Sequence, residues 1–327
     1  MVPVSAISIK KLSKHFGKLR AVDGISLEVK EGEVFALLGP NGAGKTTTIS
    51  MLCGLLRPTS GKASVAGYDA ETEPLKVRKS IGVVFQQPSS DDLLSGRENL
   101  EMHALLYGMP GEGRKERIDS MLRLVGLTDR QKSRVKEYSG GMRKRLEIAR
   151  GILHKPLILF LDEPTVGLDP QTRSHIWEYI RKMSQVEKTT IVFTTHYLEE
   201  AEKYADRVAI IDHGRMIALG KPSDLVRKLG GDIMLLKSKE PALIASELRK
   251  MPFARSVKIK EGIVSVTVPD SQKNLPKMLR LLDGVDSIEM HPATLNDVFI
   301  KYTGRAIRED SAEGSYWERI MNSKGDR

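Results

Sequence analysis

Cysteine is nearly missing from this chain: Cys53 is the single one among 327 residues. One thiol excludes an internal disulfide and a cysteine-rich metal site. Cys53 sits among Ile49, Leu52, Leu55 and Leu56, the setting of a small core residue rather than a reactive thiol. Such usage fits an intracellular chain, and a cysteine-poor secreted one equally. Long apolar runs are missing too. Residues 157–161 are apolar, but a bilayer span needs about 18 to 20 such residues in succession. Any service to a membrane is therefore expected from its cytoplasmic side, through a partner. The opening Met1-Val2-Pro3-Val4 has no basic region followed by an apolar stretch, so no signal peptide is expected. Aromatic residues make up 5% of the chain, which argues against a surface built to stack nucleic-acid bases. Internal repeats, low-complexity runs and long heptad patterns are absent.

What is present describes a folded protein. The chain is 40% hydrophobic and 29% charged, apolar enough for a core, and its length suits two domains. Fifty-two Lys and Arg against 42 Asp and Glu give a net charge of +10. That surplus suits an anionic partner such as nucleotide, nucleic acid or acidic lipid, and equally a solvated basic surface.

Apolar clusters at 7–9, 25–29, 33–38, 81–85, 157–161 and 190–193 read as strands. Helical spacing appears at 46–56, through most of 97–153, and at 171–183. Strands alternating with helices predict an α/β sheet with a helical insertion at about 87–150. After about residue 230 the pattern reads strand (232–237), helix (241–250), hairpin (256–260 and 263–268), helix (274–282), strand (287–290). That β-α-β-β-α-β order is ferredoxin-like. The expected division is thus a domain over 5–230, an accessory domain over 231–303 and a polar tail over 304–327.

Gly39-Pro40-Asn41-Gly42-Ala43-Gly44-Lys45-Thr46, followed by Thr47, fits the phosphate-binding pattern G-x-x-x-x-G-K-[ST]. Its glycines let backbone N–H groups point inward at phosphate oxygens, and the helix that follows adds a positive N-terminus. Lys45 is placed to reach the β- and γ-phosphates and Thr46 to ligate Mg²⁺. The strand 157–161 ends in Asp162, a second Mg²⁺ ligand in this reading, and Glu163 follows as a candidate general base. His196 stands just past the strand 190–193, where it could reach the γ-phosphate.

Tyr138-Ser139-Gly140-Gly141-Met142 resembles the signature of ABC ATPases, usually written LSGGQ, with Tyr and Met at its two ends. A cap serine, open glycine amides and a helix N-terminus make an anion site. Over residues 5–225 the chain resembles that family, and the resemblance implies the remaining roles. Phe16 stands where an aromatic stacks on adenine, and Val22 where a smaller apolar contact lies. Gln86, with Gln87 beside it, matches the glutamine that touches Mg²⁺ or the attacking water. Gly167-Leu168-Asp169 matches the D-loop, and His196 the switch histidine. Two cassettes are then expected to face head to tail, each ATP held by one P-loop and by Ser139, Gly140 and Gly141 of the other. The dimer is a homodimer or a pair with a similar ATPase subunit.

The stretch from His291 to Phe299 and the run Ser95-Gly96-Arg97-Glu98-Asn99-Leu100 resemble the daunorubicin-resistance type of exporter ATPase. That resemblance implies an ATP hydrolase energising a type-2 exporter of drugs, lipids or polysaccharides, working with separate transmembrane permease subunits at the cytoplasmic face of a prokaryotic membrane. The alternative is a soluble ABC ATPase acting on nucleic acid or translation. The +10 charge suits it, but the missing coiled coil, zinc cysteines and second cassette do not, so no nucleic-acid partner is expected. Residues 295–302 also read as an amphipathic docking helix.

Overall fold

The computed structural model describes residues 5–260, 262–282 and 284–303. The expected tail, 304–327, lies outside the described residues. Two compact units divide between Leu219 and Gly220.

The first unit runs β1 (Ser5–Phe16), β2 (Leu19–Lys30), β3 (Val34–Leu38), α1 (Lys45–Leu52), β4 (Ser60–Val65), β5 (Tyr68–Asp69), α2 (Pro74–Ser80) and β6 (Ile81–Val84). It continues with α3 (Gly96–Leu106), α4 (Arg114–Leu124), α5 (Gly140–Leu153), β7 (Ile158–Asp162), α6 (Pro170–Lys182), β8 (Thr190–Thr195), α7 (Leu198–Tyr204), β9 (Arg207–Asp212) and β10 (Arg215–Gly220). Every residue of β3, β7 and β8 is buried. Strands covered on both faces carry unbroken apolar runs, which is why these segments are legible in the sequence. They lie at the centre of a six-stranded sheet ordered β10-β9-β3-β8-β7-β6, in which β6, β7, β8, β3 and β9 run parallel.

A second sheet, β2-β1-β4-β5, is antiparallel. Ile7, Ile9, Leu12 and Ile25 from it share one core with Phe35, Phe160 and Val192 of the parallel sheet and with Ile49 and Leu52 of α1. Cys53 belongs to that core, and burial pushes its thiol well above the usual range, so it stays protonated. The helical insertion is formed by α3, α4 and α5, which pack on one another. Ser95 caps α3 through a reciprocal bond with Glu98, giving a defined start to a helix that otherwise follows a loop.

The second unit begins with α8 (Pro222–Arg227) and continues with β11 (Asp232–Ser238), α9 (Pro241–Lys250), β12 (Arg255–Lys260), β13 (Ile263–Val268), α10 (Ser271–Leu281), β14 (Val285–His291) and α11 (Leu295–Thr303). Its antiparallel sheet is ordered β12-β13-β11-β14, the ferredoxin-like arrangement. Val264, Val266 and Val268 alternate inward with Met234 and Leu236, and Ile244, Leu248 and Met278 of the two helices cover them. Helix α8 packs against α11, so this unit starts ahead of residue 230. Leu295, Val298 and Phe299 of α11 are buried.

Candidate active site

The phosphate loop joins β3 to α1, and its geometry depends on two glycines. Gly42 and Gly44 take positive φ of 80° and 103°, a region closed to most side chains. A Cβ on Gly44 would also collide with the carbonyl oxygen of Ala21 in β2. The loop is closed by Ala43 N–H donating to the Pro40 carbonyl at 3.1 Å and Gly214 N–H donating to the Ala43 carbonyl at 3.0 Å. Lys45 is buried, and its ammonium donates to the carbonyls of Gly39 (2.7 Å) and Pro40 (3.2 Å). Burial lowers its pKa, and the charges of Glu163 and Asp162 oppose that shift.

Asp162 ends β7 and is buried. It accepts from the Thr46 hydroxyl at 2.8 Å, which brings together residues 116 positions apart. The next residue turns sharply: Glu163 has φ of 50°, a left-handed backbone that costs roughly 1–3 kcal/mol in a non-glycine residue. That turn sends its carboxylate among three groups. His196 Nδ1 stands 3.1 Å from Oε1, Lys45 Nζ 3.6 Å from the same oxygen, and Gln86 Nε2 donates to Oε2 at 3.3 Å. Glu163 is held below the usual carboxylate range, first by the His196 hydrogen bond and then, against the cost of burial, by the charges of His196 and Lys45. It is therefore ionised at neutral pH and able to accept a proton.

The structure brings Lys45, Thr46, Gln86, Asp162, Glu163 and His196 to one place, at the carboxyl ends of parallel β3, β7 and β8. Ligand sites of open α/β sheets form there, because the loops and helix starts gather at that edge. Phe16 stands apart at the turn of the β1–β2 hairpin, half exposed, with Lys14 Nζ 5.3 Å from its ring centre. Val22 is fully buried on β2, against the position of Gly44. Ser139 caps α5 by accepting from Met142 N–H at 3.3 Å, and the space around Gly140 is open. Asp169 caps α6 by accepting from Thr172 N–H at 2.9 Å, and the Thr172 side chain first, then this N–H, lower its pKa.

Two supporting residues escape sequence reasoning. The Thr194 hydroxyl, inside β8, donates to Asp162 Oδ1 at 2.5 Å and accepts from Glu163 N–H at 3.0 Å, so one side chain ties the Asp162 carboxylate to the backbone of Glu163. Glu200, buried on α7, accepts from Thr165 at 2.6 Å and Thr195 at 3.2 Å, tying the loop after Glu163 to the strand end before His196. A threonine in a buried strand reads as an ordinary β-branched residue. A glutamate in the first turn of a helix reads as an ordinary dipole partner. Neither carries a local mark of its contact.

Among the described residues no three His, Cys, Asp or Glu side chains converge on a metal position. The oxygen set here is instead a hydroxyl and a carboxylate, Thr46 and Asp162, with the amide of Gln86 nearby through Glu163. Hard oxygens of this kind suit Mg²⁺.

Comparison with known proteins agrees with this geometry. The family model "ABC transporter" matches residues 22–166, and "ATP-binding protein DrrA1-3-like, C-terminal domain" matches 220–303. The daunorubicin/doxorubicin resistance ATP-binding protein DrrA of Streptomyces peucetius is 40% identical over 95% of this chain and 96% of its own length. The linearmycin resistance ATP-binding protein LnrL of Bacillus subtilis is 36% identical over 93% of this chain and all of its own. The Nod factor export ATP-binding protein I of Paraburkholderia xenovorans is 38% identical over 94% of this chain and 100% of its own. Among solved structures, an ATP-binding subunit of an ABC transporter superposes with a TM-score of 0.65 at 31% identity, covering 69% of this chain and 94% of that one. A dimeric post-hydrolysis state of the cassette MJ0796 bound to ADP and Pi gives 0.62 at 28% identity, over 66% of this chain and 98% of that one. With its loop, carboxylates and near-full-length likeness to these proteins, the chain belongs to the ATP-binding subunits of ABC transporters.

Proposed function

We propose that the chain hydrolyses ATP to energise an ABC exporter whose membrane-spanning part lies on separate permease subunits. One observation carries the chemistry: ionised Glu163 is bracketed by Lys45, His196 and Gln86, beside the Thr46–Asp162 pair. As general base, Glu163 takes a proton from the attacking water while Gln86 and His196 hold its carboxylate in place. Lys45, the backbone N–H groups of residues 41–47 and the N-terminus of α1 bind the β- and γ-phosphates. Half-exposed Phe16 offers its ring to adenine. Thr46, Asp162 and Gln86 would hold Mg²⁺, which supplies positive charge to the phosphates when bound.

The chain carries one phosphate loop and one signature, so each ATP needs Ser139, Gly140 and Gly141 from a second copy or a similar ATPase subunit. The dimeric neighbour supports that reading. Asp169, capping α6 beside these loops, belongs to the same interface in this proposal. No helix among the described residues is long and apolar enough to cross a membrane. In this proposal a separate permease docks near the Gln86 loop and the insertion at 87–150. The relatives' names, from drug resistance to Nod factor export, support an exporter at the cytoplasmic face of a bacterial membrane. They do not favour the nucleic-acid alternative.

The test is ATP turnover by the purified chain and by Glu163→Gln, each also run on a sizing column with ATP and Mg²⁺. Loss of the base is expected to lower turnover by about 10² to 10⁴-fold, and the variant should retain ATP and elute as a dimer. Parent-like turnover in the variant would remove Glu163 from its role. A monomer under all conditions would remove the ATP-sandwich dimer.

A further inference from the structure

We propose that α5 sets the position of Gln86 through two buried charged side chains, Lys144 and Glu147, so that the helix capped by Ser139 also places the glutamine beside that chain's own Glu163. The inference rests on the roles proposed above for Gln86, Glu163 and Ser139.

The residues are three apart and share one face of α5. Both are nearly inaccessible. Lys144 Nζ donates to the Phe85 carbonyl at 3.2 Å, on the residue just before Gln86. Glu147 accepts from the Ser89 hydroxyl at 2.9 Å and from Ser90 N–H at 2.7 Å. Arg150 Nη1 completes this end, donating to Glu147 at 2.9 Å and to the Ser89 hydroxyl at 3.0 Å. The segment from Phe85 to Ser90 is thus gripped at both ends by one helix. Between the grips lie Gln86, Gln87 and Pro88, and only Gln86 is seen to reach the catalytic carboxylate, at 3.3 Å from Glu163.

Packing gives no reason for this pair. Burying two charges costs several kcal/mol per ion before their partners compensate, and apolar residues of similar volume often serve stability as well or better. The same helix buries Leu146, Ile148, Ile152 and Leu153 without that cost. What the pair supplies is directional: charge-assisted hydrogen bonds fix a loop in register, where apolar contacts would let it slide. Ser139 at the start of α5 is the residue assigned to the nucleotide of the facing subunit. A displacement of α5 caused by that nucleotide would be carried by Lys144 and Glu147 to Gln86, and from there to Glu163 of the neighbouring site.

The experiment uses the full-length chain with Glu147→Gln, alone and combined with Gln86→Ala, and Lys144→Gln as a second variant. Glu147→Gln should lower kcat about tenfold while KM for ATP stays within about twofold, because a misplaced catalytic group affects turnover more than binding. In the Gln86→Ala background the same change should alter kcat by less than about twofold, since its target is already gone. Independently of turnover, amide exchange at Ser89 and Ser90 in the nucleotide-free protein should accelerate in Glu147→Gln. Lys144→Gln should show the same dependence on Gln86, which keeps the proposal open to test if Glu147→Gln does not fold. An equal fold-loss with and without Gln86, or unchanged exchange at residues 89–90, overturns it. If the parent chain itself shows no turnover, the proposed function fails, and the clamp is judged by the exchange result alone.

Discussion

Acid should weaken the joint between α3 and α5, and one histidine should account for a measurable share. His103 of α3 lies 4.7 Å, centre to centre, from Tyr107, which stacks at 3.7 Å on His154 just past α5. His154 Nε2 lies 3.0 Å from the Ile81 carbonyl, whereas His103 Nε2 and His154 Nδ1 are buried with no hydrogen-bond partner among the described residues. Burial, followed by the charge of Arg150 and by His154, pushes the His103 pKa down from 6.5 to about 3. Burial lowers that of His154 as well, against the pull of the Ile81 carbonyl. In the folded state both imidazoles therefore stay neutral at pH values where the unfolded chain already binds protons. Stability is full above pH 6.5 and falls as the pH drops from 6.5 towards 3, by about 1.4 kcal/mol per pH unit for one such group. Between pH 6.5 and 5.0 His103 alone should cost about 2 kcal/mol, or roughly 4–8 °C in Tm for a domain of this size. His103→Phe keeps a ring against Tyr107 and cannot titrate. Urea unfolding of both proteins at pH 7.5, 6.5, 5.5 and 5.0 isolates the effect, since carboxylates such as Glu163 titrate alike in each. The variant's stability should decline less, by about 2 kcal/mol over that interval. Parallel curves would refute the argument that burial holds His103 neutral.

Three further outcomes follow from the site. Gly44→Ala places a Cβ against the Ala21 carbonyl at φ of 103°, so ATP binding, read by a fluorescent analogue, should be lost and unfolding eased by about 1–3 kcal/mol; normal binding would contradict the loop geometry. Thr194→Val keeps the shape but leaves Asp162 and the Glu163 N–H short of a partner, at an expected loss of about 1–3 kcal/mol in chemical denaturation together with slower turnover. Phe16→Ala should raise KM for ATP by about tenfold, the worth of one stacking contact of roughly 1–1.5 kcal/mol, while Phe16→Tyr should leave it near the parent's value; equal KM values in all three would remove Phe16 from the base site.

The sequence by itself determined whatever depends on neighbours along the chain. The loop from Gly39 to Thr46 was legible because its glycines, its strand and its helix are consecutive, and the structure forms all three in that order. Strands β3, β7 and β8 were legible because burial on both faces leaves an unbroken apolar run. The ferredoxin-like order of the second unit was legible because its short apolar strands, β13 among them with alternating burial, are set apart by helical stretches along the chain. Tertiary structure decided which of these pieces meet. Thr46 and Asp162 touch across 116 residues and Gln86 and Glu163 across 77, because β7 pairs with β8 and β8 with β3, and strand order is not written in the pattern of any one strand. It also decided the setting of Val22, which packing on β2 buries against the position of Gly44 although 22 residues separate the two. Thr194, Glu200, Lys144 and Glu147 gained their places in the same way. Each is an ordinary residue for its strand or helix, and its contact exists only where the fold brings a distant loop within about 3 Å, the reach of a hydrogen bond.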